Sequence, residues 1–266
     1  MKKISIVFFA AVFSFSCNQK KETASAYNDL FKDNLKGSIQ QITETPYQTD
    51  STGKMGAMDS CCINIIQYDS AGYLTKVVDK DSKGNIKFEQ SSTHYDNGLF
   101  KEFSNLENGK MSDKITMQLD KDGKKYLSAQ VYDSAGKLKS FYKDMTQNEY
   151  INVTSEKQYK PDSTLKKSFE YKYDKQIFVG QTTIDSSGKE ISKTLAKLDD
   201  KGNEIEITLT STMKDDKTKK DSATTKVNKY KYDSYDEQGN WTQRTNMDGK
   251  GKPTKIVKRE ITYYKK

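Results

Sequence analysis

Four scarcities bound this chain of 266 residues. Histidine occurs once, at His94, and cysteine three times, at Cys17, Cys61 and Cys62. Zinc sites of the usual kind need three or four such ligands, so neither a metal centre nor another cofactor is expected. Only three prolines are present, so little would interrupt a ladder of strands. Arginine occurs only at Arg244 and Arg259, among 45 basic residues. Recognition of bases and phosphates leans on arginine forks. Lysine and aspartate alternate instead, as in Lys80-Asp81 and Lys121-Asp122, which reads as solvated surface with no nucleic-acid partner. Apolar residues are scarce too, at 33%, while 31% are charged. What apolar content there is runs to aromatics, 17 Tyr and 11 Phe. That excludes disorder and suits an extended sheet over a shallow core.

Only one long hydrophobic run exists, Ile4 to Phe15, preceded by Lys2 and Lys3. It is too short to span a bilayer as a helix and has the length of a signal h-region. Ser16-Cys17 follows at once and resembles a bacterial lipobox, in which the cysteine is cleaved to the new N-terminus and lipid-modified, palmitate included. Residues 1–16 are therefore expected to be a lipoprotein signal peptide, and residues 17–35 an anchored Cys17 and polar tether with room for a short helix over Tyr27–Leu35. The lipid at Cys17 would be the membrane partner. By resemblance, Asn18 in place of aspartate weighs against the inner membrane, so the outer membrane is expected, its periplasmic and cell-surface faces both open. Without Lys2 and Lys3, 43 basic and 37 acidic residues leave a net charge of +6.

From residue 36 to 266 the chain reads as one β-repeat domain. Asp-x-x-Gly occurs at 69–72, 81–84, 120–123, 133–136, 185–188, 199–202 and 236–239. Worn forms fill gaps, as at Asp96-Asn97-Gly98, Glu107-Asn108-Gly109, Pro161-Asp162-Ser163 and Asp248-Gly249. Aspartate at the first position of a type I turn caps its own backbone, and glycine at the fourth tolerates positive φ. Between turns the period is two. Ile207 and Leu209 alternate with Glu206 and Thr208; Phe169, Tyr171 and Tyr173 alternate with Glu170 and Lys172. The fold class is all-β, an antiparallel meander of roughly 12–14 strands. Open sheets rarely pass about ten strands, so a strongly curled single sheet or a barrel-like closure is expected, joining Gly37–Tyr47 to Lys255–Tyr264. A membrane-spanning barrel is the weaker alternative, because the exposed rows are rich in lysine.

Tyr68-Asp69-Ser70-Ala71-Gly72 and Tyr132-Asp133-Ser134-Ala135-Gly136 resemble the YD/RHS type of repeat, in the short form of Bacteroidota envelope lipoproteins. Tyr235-Asp236-Glu237-Gln238-Gly239-Asn240-Trp241 is similar to their closing repeat, and Lys36-Gly37-Ser38-Ile39 to their opening strand. The resemblance covers residues 36–264 and implies architecture, with no established activity to carry over.

Catalytic residues do not stand out: Gly-x-Ser-x-Gly is absent, and His94, just before a turn, reads as a surface or cross-strand residue. Asp79-x-Asp81-x-Lys83-Gly84 begins like a calcium loop, but turn formation accounts for its aspartates. Cys61-Cys62 would point to opposite faces of a strand. Free thiols are favoured there over a disulfide between neighbours. Trp241 is the single tryptophan, expected to pack the terminal hairpin or, if exposed, to contact a ligand. The functional expectation is a non-enzymatic, lipid-anchored envelope module that binds a protein or glycan. The alternative is a structural or accessory subunit of an outer-membrane complex.

Overall fold

The repeated turns close as their sequence predicts. At Asp185-Ser186-Ser187-Gly188, the Gly188 N–H donates to the Asp185 carbonyl at 3.0 Å, and the Asp185 N–H to the Lys189 carbonyl at 2.9 Å. The Asp185 carboxylate accepts from the N–H groups of Ser187 and Lys189 at 2.8 and 3.1 Å. Gly188 sits at φ +86°, where a Cβ would be strained. The same set of bonds recurs from Asp69, Asp81, Asp133, Asp199, Asp236 and Asp248.

The computed structural model describes residues 28–50, 52–174, 177–214 and 221–265. The signal segment, Cys17 and the tether to residue 27 lie outside the described residues. One short helix, α1 (Asp29–Lys32), precedes seventeen strands. These are β1 (Ile39–Thr49), β2 (Met55–Met58), β3 (Ile63–Tyr68), β4 (Leu74–Lys80), β5 (Ile86–His94), β6 (Phe100–Glu107), β7 (Lys110–Leu119), β8 (Tyr126–Asp133) and β9 (Leu138–Gln147). There follow β10 (Val153–Tyr159), β11 (Leu165–Asp174), β12 (Ile177–Asp185), β13 (Glu190–Leu198), β14 (Glu204–Lys214), β15 (Asp221–Tyr235), β16 (Trp241–Asp248) and β17 (Pro253–Tyr263).

Every strand from β3 to β17 pairs antiparallel with the next, and β1 closes the ring between β17 and β3. The result is a closed barrel of sixteen strands, with β2 as an extra strand on the β3-side edge of β1. The count exceeds the expected 12–14. One missed turn, Asn148 to Asn152, contains neither Asp nor Gly; its first residue caps the turn with an amide oxygen, and Ile151 takes the glycine place at φ +61°. The other missed strand boundaries flank β2. Closure occurs between the predicted edges, with Ile42 opposite Ile261 and Glu44 opposite Arg259. Barrel closure leaves neither edge open to another chain.

Register assigns each row to a face. Ile42, Ile66, Val77, Gln90 and Phe103 are opposed in turn or lie two residues apart, and all line the lumen. The alternate rows face outward and carry charge. Lys76 pairs with Glu89 at 3.0 Å, Lys114 with Glu102 at 2.7 Å and Lys197 with Glu206 at 2.7 Å. Such exposed pairs add at most about 1 kcal/mol each to stability. Their placement bears on any contact with a membrane: a lysine facing hydrocarbon costs about 2–4 kcal/mol at the bilayer midplane.

Two apolar clusters pack inside the barrel and beneath the segment that precedes β1. Leu30, Leu35, Ile39, Ile42 and Tyr68 form the first; Phe103, Ile115, Met117, Ala129 and Val131 form the second. Ile39 and Ile42 are completely buried, worth about 1.5–3 kcal/mol each by transfer from water.

Candidate functional site

Residues 28–36 form a strap across one mouth of the barrel. Asn28 caps α1 and donates through its amide to the Ala71 carbonyl at 2.9 Å. The N–H groups of Asp29 and Leu30 donate to Gly72, in the β3–β4 turn. At the other end, Asn34 donates to the Lys201 carbonyl at 2.9 Å, in the β13–β14 turn. Asn240, in the β15–β16 turn, holds Lys36 by two bonds of 2.8 and 2.9 Å and donates to the Tyr263 hydroxyl. Turns from separate hairpins are thereby tied together by one short segment.

The strap carries a buried charge cluster. Asp29 receives Lys32 at 2.7 Å, His94 at 2.9 Å and the Leu74 N–H at 2.8 Å. Burial opposes ionisation of Asp29, but Lys32 and His94 outweigh it and hold the carboxyl below its ordinary value. His94 is thus not a surface residue: its side chain is 9% exposed and lies between the rings of Tyr73 and Phe100, at 4.9 and 4.4 Å. The strap covers it, and nothing local to His94 announces a partner 65 residues earlier. Asp33 accepts from the Tyr68 hydroxyl at 2.7 Å, and burial pushes its pKa up to about 6.

Beneath the strap lies a cavity of about 440 Å³, within the ordinary range for small-molecule sites. Its walls are mostly apolar: Ile66, Leu74, Phe100, Phe103 and Phe178 are among them. Trp241, 7% exposed, stands in this wall against Tyr232 at 5.7 Å. Both arginines of the chain reach it there. The Arg259 guanidinium lies 3.5 Å from the indole centre and that of Arg244 4.9 Å. Arg259 also donates to Glu44 through Nε and Nη2, at 3.1 and 2.5 Å. Glu204 joins the lining, and burial raises its pKa, opposed by Arg244.

Trp241 thus packs against β15 on the lumen side of the closing hairpin. In the sequence the two arginines speak only against nucleic-acid binding. Their rarity beside a lone tryptophan was the usable signal, since a lysine-rich surface leaves two arginines to be explained. Cys61 and Cys62 form a disulfide between neighbours, against the expectation of free thiols. The reason is that they lie in a bend before β3, with Cys62 at φ +73°, so the alternation of a strand does not apply. Among the described residues, no three His, Cys, Asp or Glu side chains are grouped to hold a metal ion. Asp81 spends its carboxylate on Lys83 and Asn85 within its own turn.

No protein-family profile and no curated protein matches the sequence. Among solved structures, a porin-like protein from Bacteroides uniformis is similar at 14% identity and a TM-score of 0.38, covering 84% of this chain and 96% of the other. The Tc holotoxin pore of Photorhabdus luminescens is similar at 11% identity and a TM-score of 0.18, covering 84% of this chain and 16% of the other. A TcdB2–TccC3 structure gives 12% identity and a TM-score of 0.17, covering 82% and 16%.

Proposed function

We propose that this protein is a non-enzymatic binding module of the bacterial envelope, tethered through lipid on Cys17, that stands outside the bilayer and holds a small guest under its strap. The observation that carries the reading is the combination of a largely apolar cavity inside the barrel with charged rows outside it. A barrel that spans a membrane needs the reverse, an apolar outer band around a polar interior. The signal-like residues 4–17 supply the address. The strap begins at residue 28, eleven residues from Cys17, a reach of at most about 40 Å. A lipid there would hold the capped mouth close to the membrane surface.

Native mass spectrometry of the protein, purified after Cys17→Ala without detergent, tests this. The expected spectrum shows a folded monomer in water with a second species heavier by a small molecule, which organic extraction removes. Wild type should partition with membranes and the variant should not. A variant that still needs detergent, or a barrel that arrives empty and takes up no apolar dye, would falsify the reading.

A further inference from the structure

The charges around the cavity do not all find partners. Asp29 answers Lys32, and Glu44 answers Arg259. Arg244 has no carboxylate oxygen within 4.0 Å among the described residues. Its Nε donates to the Asn246 amide oxygen at 3.1 Å, the guanidinium also hydrogen-bonds the Tyr232 hydroxyl, and its Cζ lies 4.7 Å from the centre of the Tyr230 ring and 4.9 Å from that of Trp241. Glu204, in the same lining, is the nearby acid whose charge acts on Arg244 from beyond ion-pair distance. Contact with aromatic rings leaves the N–H groups of a guanidinium that are not already bonded free to meet a carboxylate oxygen.

We propose that the guest is an amphiphilic carboxylate, its apolar body against Phe100, Phe103 and Phe178 and its carboxylate on the edge of Arg244. This rests on reading the cavity as a binding site. The apolar walls select for hydrocarbon or ring, and the unanswered guanidinium selects for a single negative charge. Arg259, already engaged by Glu44, serves to hold the indole of Trp241 in place.

The intrinsic emission of the full-length protein reports directly on this site, because Trp241 is its only tryptophan. Titration with dodecanoate, dodecanol and dodecyltrimethylammonium separates charge from chain. Dodecanoate is expected to give a saturable change, with dodecanol weaker by about tenfold or more, the worth of one charge-assisted hydrogen bond, and the cation weaker still. Arg244→Gln should bring dodecanoate down to the level of dodecanol and leave dodecanol unchanged. Glu204→Gln, which removes the competing acid, should tighten dodecanoate; should Arg244→Gln fail to fold, this variant decides, and an unchanged dodecanoate affinity overturns the proposal. Equal binding of acid and alcohol, or an acid preference that survives Arg244→Gln, overturns the carboxylate and leaves the cavity reading standing. Binding of none of the three overturns the cavity reading itself.

Discussion

At the fourth position of the repeated turn the backbone enters the left-handed region, and residue identity there can be tested free of packing. A Cβ on Gly188 would meet nothing within 4 Å, yet φ is +86°. Gly188→Ala should therefore cost about 1–2 kcal/mol through the backbone alone, read as a lowered urea midpoint at unchanged m. Ser163 fills the same place at φ +65° and is exposed. Ser163→Gly should raise stability by about 1 kcal/mol, relieving that strain; an unchanged midpoint would contradict this account of the turn. Glu156, on the lumen side of β10, gives the pH dependence. Burial pushes its pKa from 4.5 to about 7, though the Tyr171 hydroxyl donates to it at 2.7 Å. A raised acid stabilises the fold fully below its unfolded pKa, and that contribution fades as pH rises through the folded one. Wild type should thus lose on the order of 3 kcal/mol between pH 4.5 and pH 8 on this account. Glu156→Gln should abolish that part of the slope in melting curves taken across the range.

At the scale of elements, hairpins were legible and the strap was not. Aspartate and glycine at fixed offsets announce a turn by local chemistry, and alternation such as Phe169, Tyr171 and Tyr173 announces a strand face. The turn at Asn148 was missed because its glycine place holds Ile151. The cavity was illegible for a different reason. Its parts, Asp29, Phe103, Phe178 and Trp241, come together only when separate hairpins share one lumen, and no spacing in the sequence encodes that. The strap itself was read as polar tether and a short helix, with no hint that Asp29 would reach His94. If that cluster fastens the strap, Asp29→Ala should speed hydrogen exchange at the N–H groups of Leu30 and Leu35 by tenfold or more, about 1.4 kcal/mol. Amides between β6 and β12 should keep their protection; loss of protection throughout would mean that the cluster supports the whole barrel.

For the whole molecule, closure depends on strands more than 200 residues apart, since β1 meets β17. Ending the chain after Asp248 would remove β17 and expose β1 and β16 together. Such a truncation should aggregate or remain open, seen as loss of a monomer peak in size exclusion, because two unpaired edges invite pairing between chains. Formation of the ring must also wait for the last strand, which places closure late in folding.

The meeting of β1 with β17 also means that the first and last residues of the barrel are neighbours in space: the Tyr264 N–H donates to the Ser38 carbonyl at 2.8 Å. The order of strands in the gene is thus one of several that would give the same ring. Joining residue 265 to residue 36 through a short linker, and opening the chain at the exposed Lys160–Thr164 turn, would make a circular permutant with every ladder kept. That permutant would lack residues 1–35, the strap up to Lys36 among them, and comparison with the natural order would separate what the barrel needs from what its cap adds.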